Sequence, residues 1–234
     1  MRLPGRAAVP RLGPPGYNNW MADCPGKLVV ISGPSGVGKT TLLRRIMAAL
    51  PELVPSVSAT TRPARAGERD GIDYHFLSSE EFERRRAADE FLETCRVYGR
   101  QHWYGTLLAE VAPRLAAGKW VVLEIDVEGT LSVLEKYPEA ITIFIEPSRP
   151  DQLLERLRGR GTESPEAMAR RLEVARRELL EANRYRYRVV NEDVDEAVGR
   201  VREILATEGF GPASVAAGEP ATRSTPTTRR GVNA

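Results

Sequence analysis

Residues 33–40 read Gly-Pro-Ser-Gly-Val-Gly-Lys-Thr, a glycine-rich loop that ends in lysine and a hydroxyl residue at the spacing G-x-x-x-x-G-K-[ST]. Gly33, Gly36 and Gly38 let the backbone bend and approach a phosphate chain closely, so that successive N–H groups point into one concavity. Lys39 supplies a mobile point charge to terminal phosphates, and the Thr40 hydroxyl can ligate Mg²⁺. The triphosphate site expected here is Gly33, Pro34, Ser35, Gly36, Val37, Gly38, Lys39 and Thr40, with Thr41 following on the same turn. That chemistry is nucleoside triphosphate binding. The loop alone leaves kinase, ATPase and GTPase open.

Such a loop works only between a strand and a helix. Lys27 to Ser32 is an apolar run suited to a buried parallel strand, and Leu42, Leu43, Ile46, Met47 and Leu50 recur at helical spacing after it. The loop therefore sits at a helix N-terminus, where unpaired amides and the positive dipole end favour an anion. Strands are expected at Leu28 to Ser32 within that run, and at Trp120 to Ile125, Ala140 to Glu146 and Arg188 to Asn191. Helices are expected at Lys39 to Leu50, Pro150 to Arg158, Pro165 to Asn183 and Val194 to Thr207. This alternation predicts an α/β fold with a parallel sheet covered by helices on both faces. Ser164 before Pro165, and Asp193 with Glu196, supply helix-start signals. Pro113 obliges the helix ending near Gly118 to begin close to it or to bend.

Residues 54–118 interrupt the alternation with short polar strands, turns and a charged helix after Ser78, long enough for a substrate-binding subdomain. The expected organisation is a domain at 25–208, with a core at 25–53 and 119–208, an insertion at 54–118 and a lid at about 150–183. Residues 1–24, rich in Pro, Gly and Arg, and the Ser/Thr/Pro-rich stretch 209–234 are expected to be flexible, with Met21 an alternative start.

The 234 residues carry a net charge of +2, with no strong basic bias toward nucleic acid. Cys24 and Cys95 stand alone, and His75 and His102 lack ligand spacing, which argues against a zinc site or disulfide framework. No apolar run reaches the length of a membrane span, and residues 1–20 lack a signal-peptide core, so a cytoplasmic setting is expected.

A second constellation lies in the insertion. Arg62 and Arg65 stand three residues apart in Ser58-Ala-Thr-Thr-Arg-Pro-Ala-Arg, and Tyr74 follows a Gly-containing turn. Arginine's planar fork suits bidentate contact with phosphate, and a tyrosine hydroxyl adds a donor. With the loop, this stretch resembles guanylate kinase, the family that phosphorylates GMP. The resemblance covers about Lys27 to Thr207 and extends through Glu90-Phe-Leu-Glu93, Trp103-Tyr-Gly-Thr106, Leu123-Glu-Ile-Asp126, Arg156-Leu-Arg-Gly-Arg160 and Val190-Asn-Glu-Asp193.

The resemblance implies a P-loop NTPase core with an inserted α+β GMP-binding subdomain and a mobile lid. It implies that Arg62, Arg65, Tyr74 and Tyr104 hold the GMP phosphate, and that Ser58, Glu93, Thr106 and Asp126 face the guanine. Arg156, Arg160 and Arg171 would be lid arginines that swing onto the triphosphate, and Asn191 would lie near the adenine of ATP. The chemistry at Glu93 stands independently. An ionised carboxylate accepts from guanine N1–H and the 2-amino group together, and adenine offers neither donor there. The implied reaction passes the γ-phosphoryl group of MgATP to GMP, and by extension to dGMP, in purine nucleotide metabolism. No nucleic-acid or membrane partner is implied. A kinase for another monophosphate, or a binding module that keeps the fold without catalysis, are the competing readings. Val127-Glu128 and Tyr185-Arg-Tyr-Arg188 depart from the family pattern, bearing on the surroundings of Asp126 and of the adenine site.

Overall fold

Leu28–Ser32 (β1) is buried at every position, which accounts for its unbroken apolar run: a strand with helices on both faces has no solvent side. The computed structural model describes residues 24–96, 102–149, 152–153 and 165–211. β1 lies at the centre of a five-stranded sheet between Val121–Glu124 (β7) and Ile141–Glu146 (β8), with Val54–Pro55 (β2) and Tyr187–Val190 (β9) at its edges. All four pairings are parallel. Side chains alternate across β1. Val29 and Ile31 pack under Lys39–Ala49 (α1) and Val194–Thr207 (α6), whose Leu42, Ile46, Val201 and Leu205 fill that layer. Leu28 and Val30 face Leu108–Ala116 (α3) and Val127–Lys136 (α4) through Val111, Leu115 and Val133.

Ser58–Thr60 (β3), His75–Phe76 (β4), Phe91–Cys95 (β5) and Tyr104–Leu107 (β6) form a second sheet in the order β4-β3-β6-β5. β3 and β5 run antiparallel to β6. Its own small core holds Ala59, Phe82, Phe91 and Leu107. Phe82, from Ser79–Ala87 (α2), stacks on Phe91 at 4.5 Å. The Ser78 hydroxyl caps α2 by accepting from the Glu81 amide at 3.1 Å.

The parallel sheet with helices on both faces agrees with the sequence expectation, and β1 and α6 keep the predicted bounds where they fall. Pro165–Leu180 (α5) ends earlier than expected, passing into a 3₁₀ turn at Glu181–Arg184. Asp193 caps α6, accepting from the Asp195 and Glu196 amides at 2.8 and 3.0 Å. Three features differ from expectation. β2 pairs with β7, so Val54 and Pro55 belong to the main sheet rather than to the insertion. α3 starts at Leu108, five residues before Pro113, and continues through it. Burial of Leu108, Val111 and Leu115 offsets the hydrogen bond that proline gives up. α4 was not anticipated, because Glu128-Gly-Thr weakens its helical signal. The helix expected at Pro150 to Arg158 lies outside the described residues except for 152–153, as do Ser164 and the segments 1–23 and 212–234. Among the described residues no helix is long and apolar enough to cross a membrane.

Candidate active site

The loop between β1 and α1 takes the conformation its glycines permit. Gly33, Gly36 and Gly38 have φ of 142°, 92° and 101°, values that side-chain-bearing residues rarely adopt. A Cβ at Gly33 would stand 2.3 Å from the Ile145 carbonyl oxygen, so the loop is laid directly against β8. Lys39 Nζ arches back to donate to the carbonyls of Gly33 at 2.5 Å and Pro34 at 3.2 Å. Val37 is fully buried. Asn191, at the end of β9, is buried and donates Nδ2–H to the Val37 carbonyl at 2.8 Å, bracing the loop from below. Thr41 is exposed on the first turn of α1.

Thr40 Oγ1 donates to Glu124 Oε1 at 2.6 Å. Glu124 ends β7, the strand beside β1, and sequence reasoning missed it. The available signal was an acidic residue closing an apolar strand next to a phosphate loop. A hydroxyl and a carboxylate oxygen are hard donors that suit Mg²⁺. Among the described residues no three His, Cys, Asp or Glu side chains gather as a metal site. α5 reaches the same loop: Arg171 Nη2 donates to Ser35 Oγ at 2.9 Å, and the Ser35 amide donates to Glu178 Oε2 at 3.3 Å. A cavity of about 410 Å³ opens between α4 and α5, lined by Asp126, Glu128, Leu131, Val174, Arg177 and Glu178.

The second sheet brings the other candidates together. Across its strands Ser58 pairs with Thr106 and Thr106 with Glu93, which aligns three polar side chains in one row. The register slips at Leu92, between Phe91 and Glu93, a bulge that re-aims the strand. Glu93 is 2% exposed and accepts from Thr106 Oγ1 at 2.7 Å through Oε1. Its Oε2 is buried with no hydrogen-bond partner among the described residues. Burial pushes the Glu93 carboxyl up to about 7; Asp126 adds to this, while the Thr106 bond and Lys136 oppose it. Gly129, in the first turn of α4, makes room: a Cβ there would lie 2.9 Å from Glu93 Oε2. Asp126 caps α4 by accepting from the Gly129 amide at 2.8 Å, and its other oxygen accepts from the Cys95 thiol at 3.3 Å.

At the outer edge of this sheet Arg62 lies over Tyr74 and Phe76, 5.3 and 5.7 Å from the ring centres. Tyr74 meets Tyr104 edge-on at 6.2 Å. Arg65 is exposed on the following turn.

The match with known proteins decides between the readings left open by the loop. A family model described as guanylate kinase matches residues 25–208. The chain belongs to the guanylate kinase family. The guanylate kinase of Rhodopirellula baltica is 50% identical over 183 residues, 77% of this chain and 88% of that protein. That of Gloeobacter violaceus is 50% identical over 182 residues, 78% of this chain and 88% of that protein. The fold agrees with a crystal structure of guanylate kinase from Anaplasma phagocytophilum: TM-score 0.63, 33% identity, over 81% of this chain and 89% of that one.

The described sequence-predicted residues gather into two groups, one at the β1–α1 loop with Asn191 and Arg171 beside it, and one at the second sheet and its following turn with Asp126 of the α4 cap beside it. Arg156 and Arg160 lie outside the described residues. The departures from the family pattern are accommodated locally. Val127 is core, packed with Phe144, Ala182 and Tyr185. Glu128 lines the α4–α5 cavity, Arg186 pairs with Glu208 at 2.9 Å, and Arg188 pairs with Glu146.

Proposed function

We propose that this chain transfers the γ-phosphoryl group of MgATP to GMP, giving ADP and GDP. The observation that carries the acceptor assignment is Glu93: a buried carboxylate with one oxygen satisfied by Thr106 and the other turned to no protein donor among the described residues. Guanine N1–H and its 2-amino group supply the missing donors, and adenine leaves the carboxylate unpaired. Ser58 and Thr106 on the neighbouring strands complete the base pocket, and Asp126 can exchange its weak thiol donor for the 2-amino group. Arg62, Arg65, Tyr74 and Tyr104 would take the acceptor phosphate.

The donor triphosphate belongs in the β1–α1 loop. Lys39 would exchange the carbonyls of Gly33 and Pro34 for phosphate oxygens. Asn191 supports that site through Val37, with adenine beyond it. Mg²⁺ held through Thr40 and Glu124 would neutralise triphosphate charge. Arg171, already at Ser35, would set positive charge against that on the transferring group, the role also implied for Arg156 and Arg160 by family resemblance. The acceptor is an anionic oxygen, so no protein nucleophile or strong general base is needed. Positioning and charge neutralisation carry the reaction. Closure of the acceptor lobe over the loop would exclude water and suppress ATP hydrolysis.

ADP release measured with GMP, dGMP, AMP and UMP as acceptors tests the reading. Turnover of GMP and dGMP is expected, with kcat/KM for AMP lower by about 10⁴-fold. A preference for AMP would overturn the role of Glu93.

A further inference from the structure

The turn that carries the two phosphate arginines also carries a carboxylate that holds one of them. Glu68 takes Arg62 end-on: Nη1 donates to Oε2 and Nη2 to Oε1, both at 2.9 Å. Glu68 Oε2 also accepts from the Arg65 amide at 2.8 Å, so one carboxylate ties the Arg62 side chain to the Arg65 backbone. The Arg62 side chain is only 12% exposed. Its Cζ lies 5.3 and 5.7 Å from the centres of the adjacent Tyr74 and Phe76 rings, and the second Nη1 donor is taken by the Pro63 carbonyl at 2.7 Å.

A guanidinium has five N–H bonds. The end-on pairing and Pro63 use three of them. The two that remain, on Nε and Nη2, form the other bidentate edge of the fork, and the Tyr104 hydroxyl hydrogen-bonds the same guanidinium, so an anion at that edge would meet arginine and tyrosine together. The ion pair therefore leaves Arg62 one edge for an anion and fixes the direction of that edge before the anion arrives.

We propose that Glu68 is the positioning residue of the acceptor-phosphate site, clamping Arg62 and the 62–68 turn so that the Nε edge of Arg62 is preset for the phosphate of the nucleoside monophosphate. This rests on the reading of the second sheet as the GMP site. Glu68 touches no substrate atom and acts through Arg62. Its negative charge also lowers the net charge of the turn, which by itself would weaken phosphate binding. The clamp prevails because a preset fork loses no side-chain freedom on binding.

Binding calorimetry on the full chain, with GMP and with guanosine, separates the possibilities. Glu68→Ala should weaken GMP binding by about tenfold or more, the scale of one charge-assisted contact. It should leave guanosine, which has the base but no phosphate, within about twofold. Glu68→Gln, which keeps an acceptor for the Arg65 amide but no carboxylate for the fork, should fall between. On an Arg62→Ala background, Glu68→Ala should bring no further loss, because its partner is gone. In turnover the effect should appear in KM for GMP and not in KM for ATP. GMP binding that is unchanged or tightened in Glu68→Ala would overturn the proposal, the latter by showing that Glu68 only competes with phosphate. Equal losses for GMP and guanosine would overturn it as well, by marking general damage to the lobe. A wild-type chain that binds no GMP would overturn the acceptor reading itself; loss confined to the Glu68 comparison leaves that reading standing.

Discussion

Glu93 is a carboxyl whose pKa has been raised by burial to about 7, yet its proposed ligand requires the ionised form. The sign of the pH dependence follows. With guanine bound, donors on both oxygens favour the carboxylate and pull its pKa down, so binding releases a proton below about pH 7. Guanosine affinity should be flat above pH 7 and fall by up to about tenfold per unit below it. Calorimetry in buffers of different ionisation heat reads both, and guanosine avoids the phosphate's own titration. Glu93→Gln should remove the slope. For the empty protein the folded pKa of Glu93 lies above the unfolded one, so this group's own contribution to stability is greatest at low pH and falls by on the order of a few kcal/mol as pH rises from about 4.5 to 7. Lys39 makes a simpler case. Lys39→Ala should lower kcat by roughly 10²–10³-fold with an unchanged circular dichroism spectrum, since it removes the cation proposed for the phosphates while the strand and helix that carry the loop stay packed. Near-normal turnover would remove the loop from the mechanism.

The elements that position these residues were unequally legible. β1, its loop and α1 were readable because one local signal, apolar strand then glycines then helical spacing, specifies all three. The acceptor lobe was readable as an insertion but not as a sheet. Its row of Ser58, Thr106 and Glu93 exists only through strand register, and register at a bulge leaves no periodic mark in the sequence. Glu124 and Glu68 were passed over for a related reason, since each gains meaning from a partner, Thr40 or Arg62, that only the folded chain or a close turn supplies. α4 illustrates the converse. Gly129 reads as a helix weakness, yet it is the residue that lets Glu93 lie against the first turn. Gly129→Ala should improve intrinsic helix propensity by about 1 kcal/mol while driving a methyl into Glu93 Oε2. GMP binding should drop by at least about tenfold with thermal stability little changed. An unaffected GMP affinity would show that Glu93 does not meet the base from that position.

The whole molecule has a parallel core that carries the proposed donor loop and a smaller, separately packed lobe that carries the proposed acceptor site. Phe82 is central to the latter, wholly buried against Phe91 and Trp103. Phe82→Ala should cost about 3–5 kcal/mol, and hydrogen exchange should show that cost in β3, β5 and β6 ahead of the main sheet. ATP binding should outlast GMP binding in this variant; simultaneous loss of both would show that the lobe has no stability of its own. The lobe's apolar attachment to the core runs along one edge. β5 packs on α4, and Leu92, displaced by the bulge, sits among Leu28, Val30 and Leu123 of the main core, while Lys136 Nζ donates to its carbonyl at 2.8 Å. At the opposite edge, β4 meets α3 through a polar contact, His75 Nε2 with Glu110 Oε1 at 3.0 Å, and contributes no side chain to that core. If the lobe closes about its apolar attachment, Leu92 would be the pivot and the turn the end of a lever arm, with the His75–Glu110 contact the one to give way. A closing rotation would leave the guanine almost stationary and sweep the monophosphate toward the γ-phosphate, so the base selects the nucleotide at the fulcrum and the phosphate makes the journey. Spin labels at Arg69 and at Thr94, each measured against α1, should report a larger ligand-induced change at Arg69; equal displacements would place the pivot elsewhere.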